Sequence, residues 1–224
     1  MDWSAITLTL KLATLTTIIL LIFSWPIAWW LTTSRSRFGV LVEAMVAMPL
    51  VLPPTVLGFY LLLFMGNQGL AGQLWQSVFG HSLAFTFSGL VFASIIYSLP
   101  FVVQPLQLAF SRLDRYQIEA AKTLGAGAWK RWRYIILPQV RRGLLTAIIL
   151  GFAHTVGEFG VVLMVGGNIS DETRVVSIAI YEHVEALEYG QAHVMSISLL
   201  LFSFFVLAIV YGVNRKWQFS GVSS

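Results

Sequence analysis

The sequence predicts an all-α integral membrane protein with about five transmembrane helices. Three observations carry this prediction. Of the 224 residues, 57% are hydrophobic and only 11% are charged, whereas soluble domains carry about 25% charged residues. Several apolar runs exceed the roughly 18–20 residues that cross a bilayer as a helix. None of them alternates with period two, which removes a β-barrel reading.

The first span is expected at about 6–31. Asp2 stands where a cleaved signal would have basic residues, the apolar run is too long for a signal core, and no A-x-A-like site follows, so the span is expected to be kept. Pro26 within it reads either as a packing kink or as a cavity-lining break. The second span, about 41–65, contains Pro49, Pro53 and Pro54. Three prolines within six residues cannot continue one regular helix, so the run Met48 to Pro54 is expected to interrupt the span and line a cavity. The third, about 85–110, is expected to be interrupted at Pro100 and Pro105, and Pro105, like Pro26, reads either as a packing kink or as a cavity-lining break. The fourth and fifth fall at about 139–165 and 192–213. Connecting segments at 32–40, 66–84, 111–138 and 166–191 complete a single domain spanning 1–224, without the internal repeats of many secondary transporters.

Basic residues orient these spans. Segment 32–40 holds Arg35 and Arg37, and the tail holds Arg215 and Lys216. The stretch 111–142 holds Arg112, Arg115, Lys122, Lys130, Arg131, Arg133, Arg141 and Arg142. Twelve of the 14 basic residues therefore share one side, which the positive-inside rule makes cytoplasmic, with the N-terminus outside and the C-terminus inside. The net charge of +4 is largely this asymmetry, and the aromatics beside Lys130 to Arg133 read as interfacial anchors, not as a nucleic-acid surface.

Catalytic patterns are absent: there is no G-x4-G-K-S/T, no H-E-x-x-H and no G-x-S-x-G. With zero cysteines, disulfides, thiolate metal sites and thiol nucleophiles are excluded together. Glu182, His183, Glu185, Glu188 and His193 are the only cluster that suggests a metal, but 173–188 reads better as an amphipathic outer helix with a solvated acidic face, and no metal site is expected. The chain reads as a transport subunit and not an enzyme.

The segment from Glu119 to Pro138 is a polar, basic island between two apolar runs. It opens with good helix formers and reaches Gly125, where a helix can end on a left-handed residue at little steric cost. A basic stretch follows, and Pro138 marks the next apolar run. Glu119-Ala120-Ala121, Gly125, Ile135, Leu137 and Pro138 fill all seven fixed positions of E-A-A-x3-G-x9-I-x-L-P. In this the chain resembles ABC importer permeases, whose signature that is. The resemblance implies a type I ABC importer permease fold and a coupling helix on the cytoplasmic loop 111–138. It also implies that Glu119, Ala120, Ala121 and Gly125 contact a separate ATP-binding subunit, which would hold ATP and Mg, with no cofactor in this chain. Two permease copies and two ATPase copies would form the assembly.

A second site centres on Gly157-Glu158-Phe159-Gly160. An acidic residue deep in a bilayer costs about 2.5–3.5 kcal/mol on insertion scales, so Glu158 should face protein or water. It reads as a gate or hinge brace between glycines, or as a structural carboxyl near the interface. That run, with Gly167-Asn168-Ile169, Glu172-Thr173-Arg174, Ala179-Ile180-Tyr181 and Met48 to Gly58, is similar to the molybdate permease branch of the family. Ser170-Asp171 stands where the branch often has Pro-Gly, and His154 where Arg is frequent. The resemblance implies molybdate import by alternating access across a bacterial inner membrane, fed by an external oxyanion-binding protein. Pro53, Pro54, Gly157, Glu158 and Gly160 are the pathway or gate candidates. Arg174 is a candidate for outer docking or steering, or is a solvated arginine or one paired with Glu172. Tungstate or sulfate permeases, and an ion-driven secondary transporter using Glu158, are the alternatives.

Overall fold

The computed structural model describes residues 2–34 and 36–219. Arg35, part of the orientation argument, lies outside the described residues. All regular structure among the described residues is helical: α1 (Trp3–Thr33), α2 (Arg37–Ala47), α3 (Pro54–Met65), α4 (Leu70–Phe79), α5 (Phe87–Ser111), α6 (Arg115–Thr123), α7 (Ala128–Arg131), α8 (Leu137–Gly157), α9 (Gly160–Gly166), α10 (Val176–Glu185) and α11 (Tyr189–Phe219). Among the described residues, four helical segments are long and apolar enough to cross a membrane, and a bent pair makes up to five.

That bent pair is the second expected span. Residues Arg37–Leu50 and Pro54–Met65 meet at 111°, with a single 3-10 turn over Met48–Leu50 before the break. Pro53 caps α3 and Pro54 is its first residue, a position where the missing N–H has no helical partner to lose. The prolines thus end one helix and begin another. Pro100 and Pro105 do not interrupt their span, contrary to the expectation: α5 runs unbroken through both. Here each proline lies alone among helix-compatible neighbours, and a membrane helix re-satisfies the freed carbonyls locally. Pro26 is likewise carried inside α1.

The centre of the molecule is α1 packed on α5 and α8. Leu20 and Ala28 of α1, Val102, Val103, Leu106 and Phe110 of α5, and Val140 and Ala147 of α8 form one buried cluster. Threonines on α1 return their hydroxyls to their own helix, Thr9 to the Ala5 carbonyl at 2.7 Å and Thr17 to the Ala13 carbonyl at 2.7 Å. This satisfies the hydroxyl without water. Thr9 also accepts the Val176 N–H at 2.9 Å, pinning the start of α10 against α1.

The fourth expected span, 139–165, differs from its prediction at both ends. Its helix begins earlier, at Ala128, and continues through a π-helical turn over Trp132–Ile136. The Leu137 N–H reaches back five residues to the Trp132 carbonyl. Pro138 has no N–H for the Tyr134 carbonyl, and a one-residue widening just before it accommodates that loss. At the other end α8 stops at Gly157, Glu158 is extended (φ −69°, ψ 133°), and α9 restarts at Gly160. Segment 66–84, expected to be only a connection, contains α4. Its left-handed cap Gly80 (φ 77°) and the helical spacing of Leu70, Leu74 and Val78 are the signals that mark it.

Candidate functional site

At one end of the bundle the polar segment builds a capped helix. The Asp114 carboxylate accepts the N–H groups of Tyr116 (2.9 Å) and Gln117 (3.4 Å), which starts α6 four residues before Glu119 and so earlier than the motif itself. At its other end Gly125 is left-handed (φ 79°), with Gly125 N–H to the Lys122 carbonyl at 3.0 Å and Ala126 N–H to the Ala121 carbonyl at 2.9 Å. This paired arrangement is the Schellman termination, which demands a residue tolerant of positive φ. No atom lies within 4 Å of where a Gly125 Cβ would be, so the constraint is conformational and not steric.

None of the α6 residues is buried, and the surrounding surface exposes Tyr116, Leu124, Trp129 and Tyr134. The exposed Glu119–Lys122 pair at 3.9 Å contributes little by itself. Two links that sequence reasoning missed tie this surface to the bundle. Gln139, on α8, accepts the Asp114 N–H (3.0 Å) through its carbonyl and donates its amide to Gln117 Oε1 (3.1 Å). Trp132 stacks on Trp129 (5.0 Å) and meets Trp25 of α1 edge-on (6.1 Å), which in turn meets Phe110 of α5 (5.0 Å).

Farther along, the two helix breaks come together. A Cβ on Gly160 would stand 2.7 Å from Pro54 Cβ, and one on Gly58 would stand 2.8 Å from Met164 Cβ and 3.3 Å from Val161 Cα. So α3 and α9 approach as closely as glycine permits, and Pro54 and Gly160, singled out separately in the sequence, touch. Pro53 beside them is exposed, as is Gly157, whose Cβ direction is open.

Glu158 sits in the α8–α9 break at 3% exposure. Its carbonyl accepts the Ser177 hydroxyl of α10 at 2.6 Å, and Phe159 packs on Tyr181 at 5.1 Å, so the break is braced from outside. Its carboxyl faces the buried Ser94 hydroxyl on α5, and neither group forms a hydrogen bond of good geometry among the described residues. One turn away, Ser98 Oγ is hydrogen-bonded to His154 Nδ1 (2.9 Å) and Thr155 Oγ1 (3.1 Å), while His154 stacks on Phe101 at 3.8 Å. Sequence reasoning missed this polar seam, and the Ser94–Ser98 spacing of four inside an apolar run is the signal that points to it.

Arg174 lies at the opposite end from α6. Its guanidinium meets Glu182 at 2.8 Å and Asp2 at 3.7 Å, and Asn168 donates to the same Glu182 oxygen at 3.0 Å. Its partner is therefore Glu182 on α10. Ser4 also bonds to Asp171, so the start of α1 is fastened to this loop. Two further acidic residues here are engaged individually: Glu185, at the end of α10, accepts from Tyr181 at 2.6 Å, and Glu188, just beyond it, pairs with His183 at 2.8 Å. The hydrogen bond to Glu185 and the carboxylate charge hold the Tyr181 phenol above the usual tyrosine range.

Residues 13–219 match the family described as the binding-protein-dependent transport system inner membrane component. The chain belongs to this family. It is accordingly a multi-pass transport component and not an enzyme. The permease is 56% identical over 214 residues to the molybdenum transport system permease protein ModB of Azotobacter vinelandii, covering 96% of this chain and 95% of that one. It is 33% identical to the Escherichia coli K12 protein of the same name, over 96% of each chain. A probable sulfate transport system permease protein from Chlorella vulgaris is 34% identical over 92% of this chain and 77% of its own. Among solved structures, a bacterial alginate ABC transporter, in complex with a periplasmic protein, matches with a TM-score of 0.75 at 16% identity, over 95% of this chain and 78% of that one. An amino acid ABC transporter matches at 0.64 and 20% identity, over 95% and 92%. These two share the fold.

Proposed function

We propose that the protein is the permease subunit of an ATP-driven importer that carries molybdate across the bacterial inner membrane by alternating access. The observation that carries the substrate is the contrast between 56% identity to a molybdenum permease and 34% to a sulfate one, both over nearly the whole chain. The orientation follows the basic residues, with the N-terminus outside and the α6 end cytoplasmic. An external oxyanion-binding protein delivers the anion, and two copies of the chain enclose the path.

The geometry supports a mechanical sequence. An ATP-binding partner, which holds ATP and Mg, docks on α6 around Glu119, Ala120, Ala121 and Gly125, a helix-in-groove contact. Gln139 and Trp132 pass its displacement to α8 and α1. The 21 residues of α8 carry it inward, roughly 30 Å at about 1.5 Å per residue. At the Glu158 break the motion reaches α9, and through the Gly160–Pro54 contact it reaches α3. Pro53, Pro54, Gly157, Glu158 and Gly160 form the gate in this reading.

The test is competition. In proteoliposomes containing the permease, its ATPase and its binding protein, unlabelled molybdate should suppress labelled molybdate uptake at far lower concentration than sulfate does. Suppression by sulfate at the lower concentration would reassign the cargo.

A further inference from the structure

We infer that a cleft between the cytoplasmic ends of α5 and α8 is a binding site for a tetrahedral oxyanion leaving the path, held by Arg112 and Arg142. The cleft has a volume of about 420 Å³, and its lining includes Arg112, Gln139, Arg142, Gly143, Thr146 and Leu108. A water occupies about 30 Å³ in the liquid, so an oxyanion fits with part of its hydration shell. The helices can converge beneath it because Gly143 lies against Ala109 and the Pro105 carbonyl.

The face on which the cleft opens is the one turned away from α1. Val102, Val103, Leu106 and Phe110 of α5 pack into the core, whereas Leu108 and Arg112 are exposed. On this face Phe101, Pro105, Leu108 and Arg112 follow at helical spacing, as do His154, Leu150, Thr146 and Arg142 on α8. Both rows run from the His154–Phe101 stack to the two arginines. Between Phe87 and Ser111, and between Gly143 and Gly157, neither helix carries Lys or Arg. An anion moving along this face therefore meets its first guanidinium groups here.

Guanidinium groups suit this ligand because their planar donors pair two oxygens at once. The Arg112 guanidinium makes no hydrogen bond or ion pair among the described residues. The neighbouring Asp114 carboxylate is occupied in capping α6. Gln139 joins the wall of the cleft to Asp114 and Gln117 of the coupling segment. An open mouth holds an anion loosely enough to release it, as conduction requires. A soluble oxyanion and the phosphate of an anionic lipid share this chemistry, and the ligand here is the soluble ion.

This site deepens the oxyanion-permease reading and rests on it. Because the chain has no cysteine, Leu108→Cys gives a single reporter at the cleft. The full chain is placed in nanodiscs of phosphatidylcholine alone, or with phosphatidylglycerol, and its modification rate by a thiosulfonate is followed with and without molybdate or sulfate. Molybdate should slow modification at least threefold in phosphatidylcholine, with loss of protection when Arg112→Gln and Arg142→Gln are added. The Arg112→Lys and Arg142→Lys pair should restore part of it, which separates charge from folding. Absence of protection by either anion, protection by phosphatidylglycerol alone, or protection that survives both glutamine substitutions would overturn the site. Molybdate uptake measured on the parent chain reports separately on the transport reading: uptake without protection removes only the site, and protection by a transported sulfate removes only the molybdate assignment.

Discussion

The first residue of α9, Gly160, touches the first residue of α3, Pro54: a Cβ on Gly160 would come within 2.7 Å of Pro54 Cβ. The contact joins two helix breaks that lie more than a hundred residues apart in sequence. One is made by prolines and the other is flanked by glycines.

Gly160→Val is therefore expected to push α3 away from α9. Overpacking of this kind costs about 1–3 kcal/mol. Thermal unfolding in detergent should fall by several degrees, and uptake should drop at least tenfold with membrane insertion retained. Gly58→Val, whose added atoms meet Met164 and the Val161 backbone, should act in the same direction.

Gly125 makes a different demand. Its φ of 79° disfavours a β-branched residue although the space is open. Gly125→Val should abolish binding-protein-stimulated ATP hydrolysis and uptake, and Gly125→Asn, which tolerates the left-handed region, should keep much of both. Glu119→Lys should also abolish coupling. Equal loss in the Val and Asn variants would show that the turn is not the reason.

Gln139→Leu removes both hydrogen bonds that fasten the start of α6 to α8. Each such bond contributes about 1 kcal/mol net. ATP hydrolysis should continue while the molybdate carried per ATP falls several-fold, a ratio measurable in one proteoliposome preparation.

Glu158→Gln keeps the shape of a buried side chain whose oxygens lack hydrogen bonds. If Glu158 braces the break, this variant retains at least half of wild-type uptake, because a neutral amide is no harder to bury. A secondary transporter that relied on the carboxyl for an ion would lose uptake entirely.

Arg174 is held by Glu182 and Asp2 at 20% side-chain exposure, the geometry of a strut between α10 and the start of α1. A double-mutant cycle of Arg174→Gln and Glu182→Gln should give a coupling of about 1 kcal/mol. Affinity for the binding protein should change less than twofold. A large affinity loss with no coupling would make Arg174 a docking residue instead.

Much of this was legible in the sequence for identifiable reasons. Apolar runs locate spans because a bilayer leaves the backbone no other partner than itself. Pro49, Pro53 and Pro54 marked one break because their effect is local. Pro100 and Pro105 misled for the same reason, since whether an isolated proline breaks a helix depends on its packing. The break at Glu158 has no proline and is fixed tertiarily, by Ser177 and by Tyr181 beneath Phe159. Gly125 was readable from its spacing, whereas the Gln139 tether joins residues 25 positions apart and no local pattern encodes it. The Arg174–Glu182 pair likewise forms only when the loop folds over α10.

The most direct test of the central claim is labelled molybdate accumulation in proteoliposomes, with the binding protein inside or outside and the ATP-binding subunit present or omitted. Accumulation should require ATP, the ATP-binding subunit and externally facing binding protein together, and Gly125→Val should eliminate it. Accumulation by the permease alone under an ion gradient, undiminished by Gly125→Val, would contradict that claim.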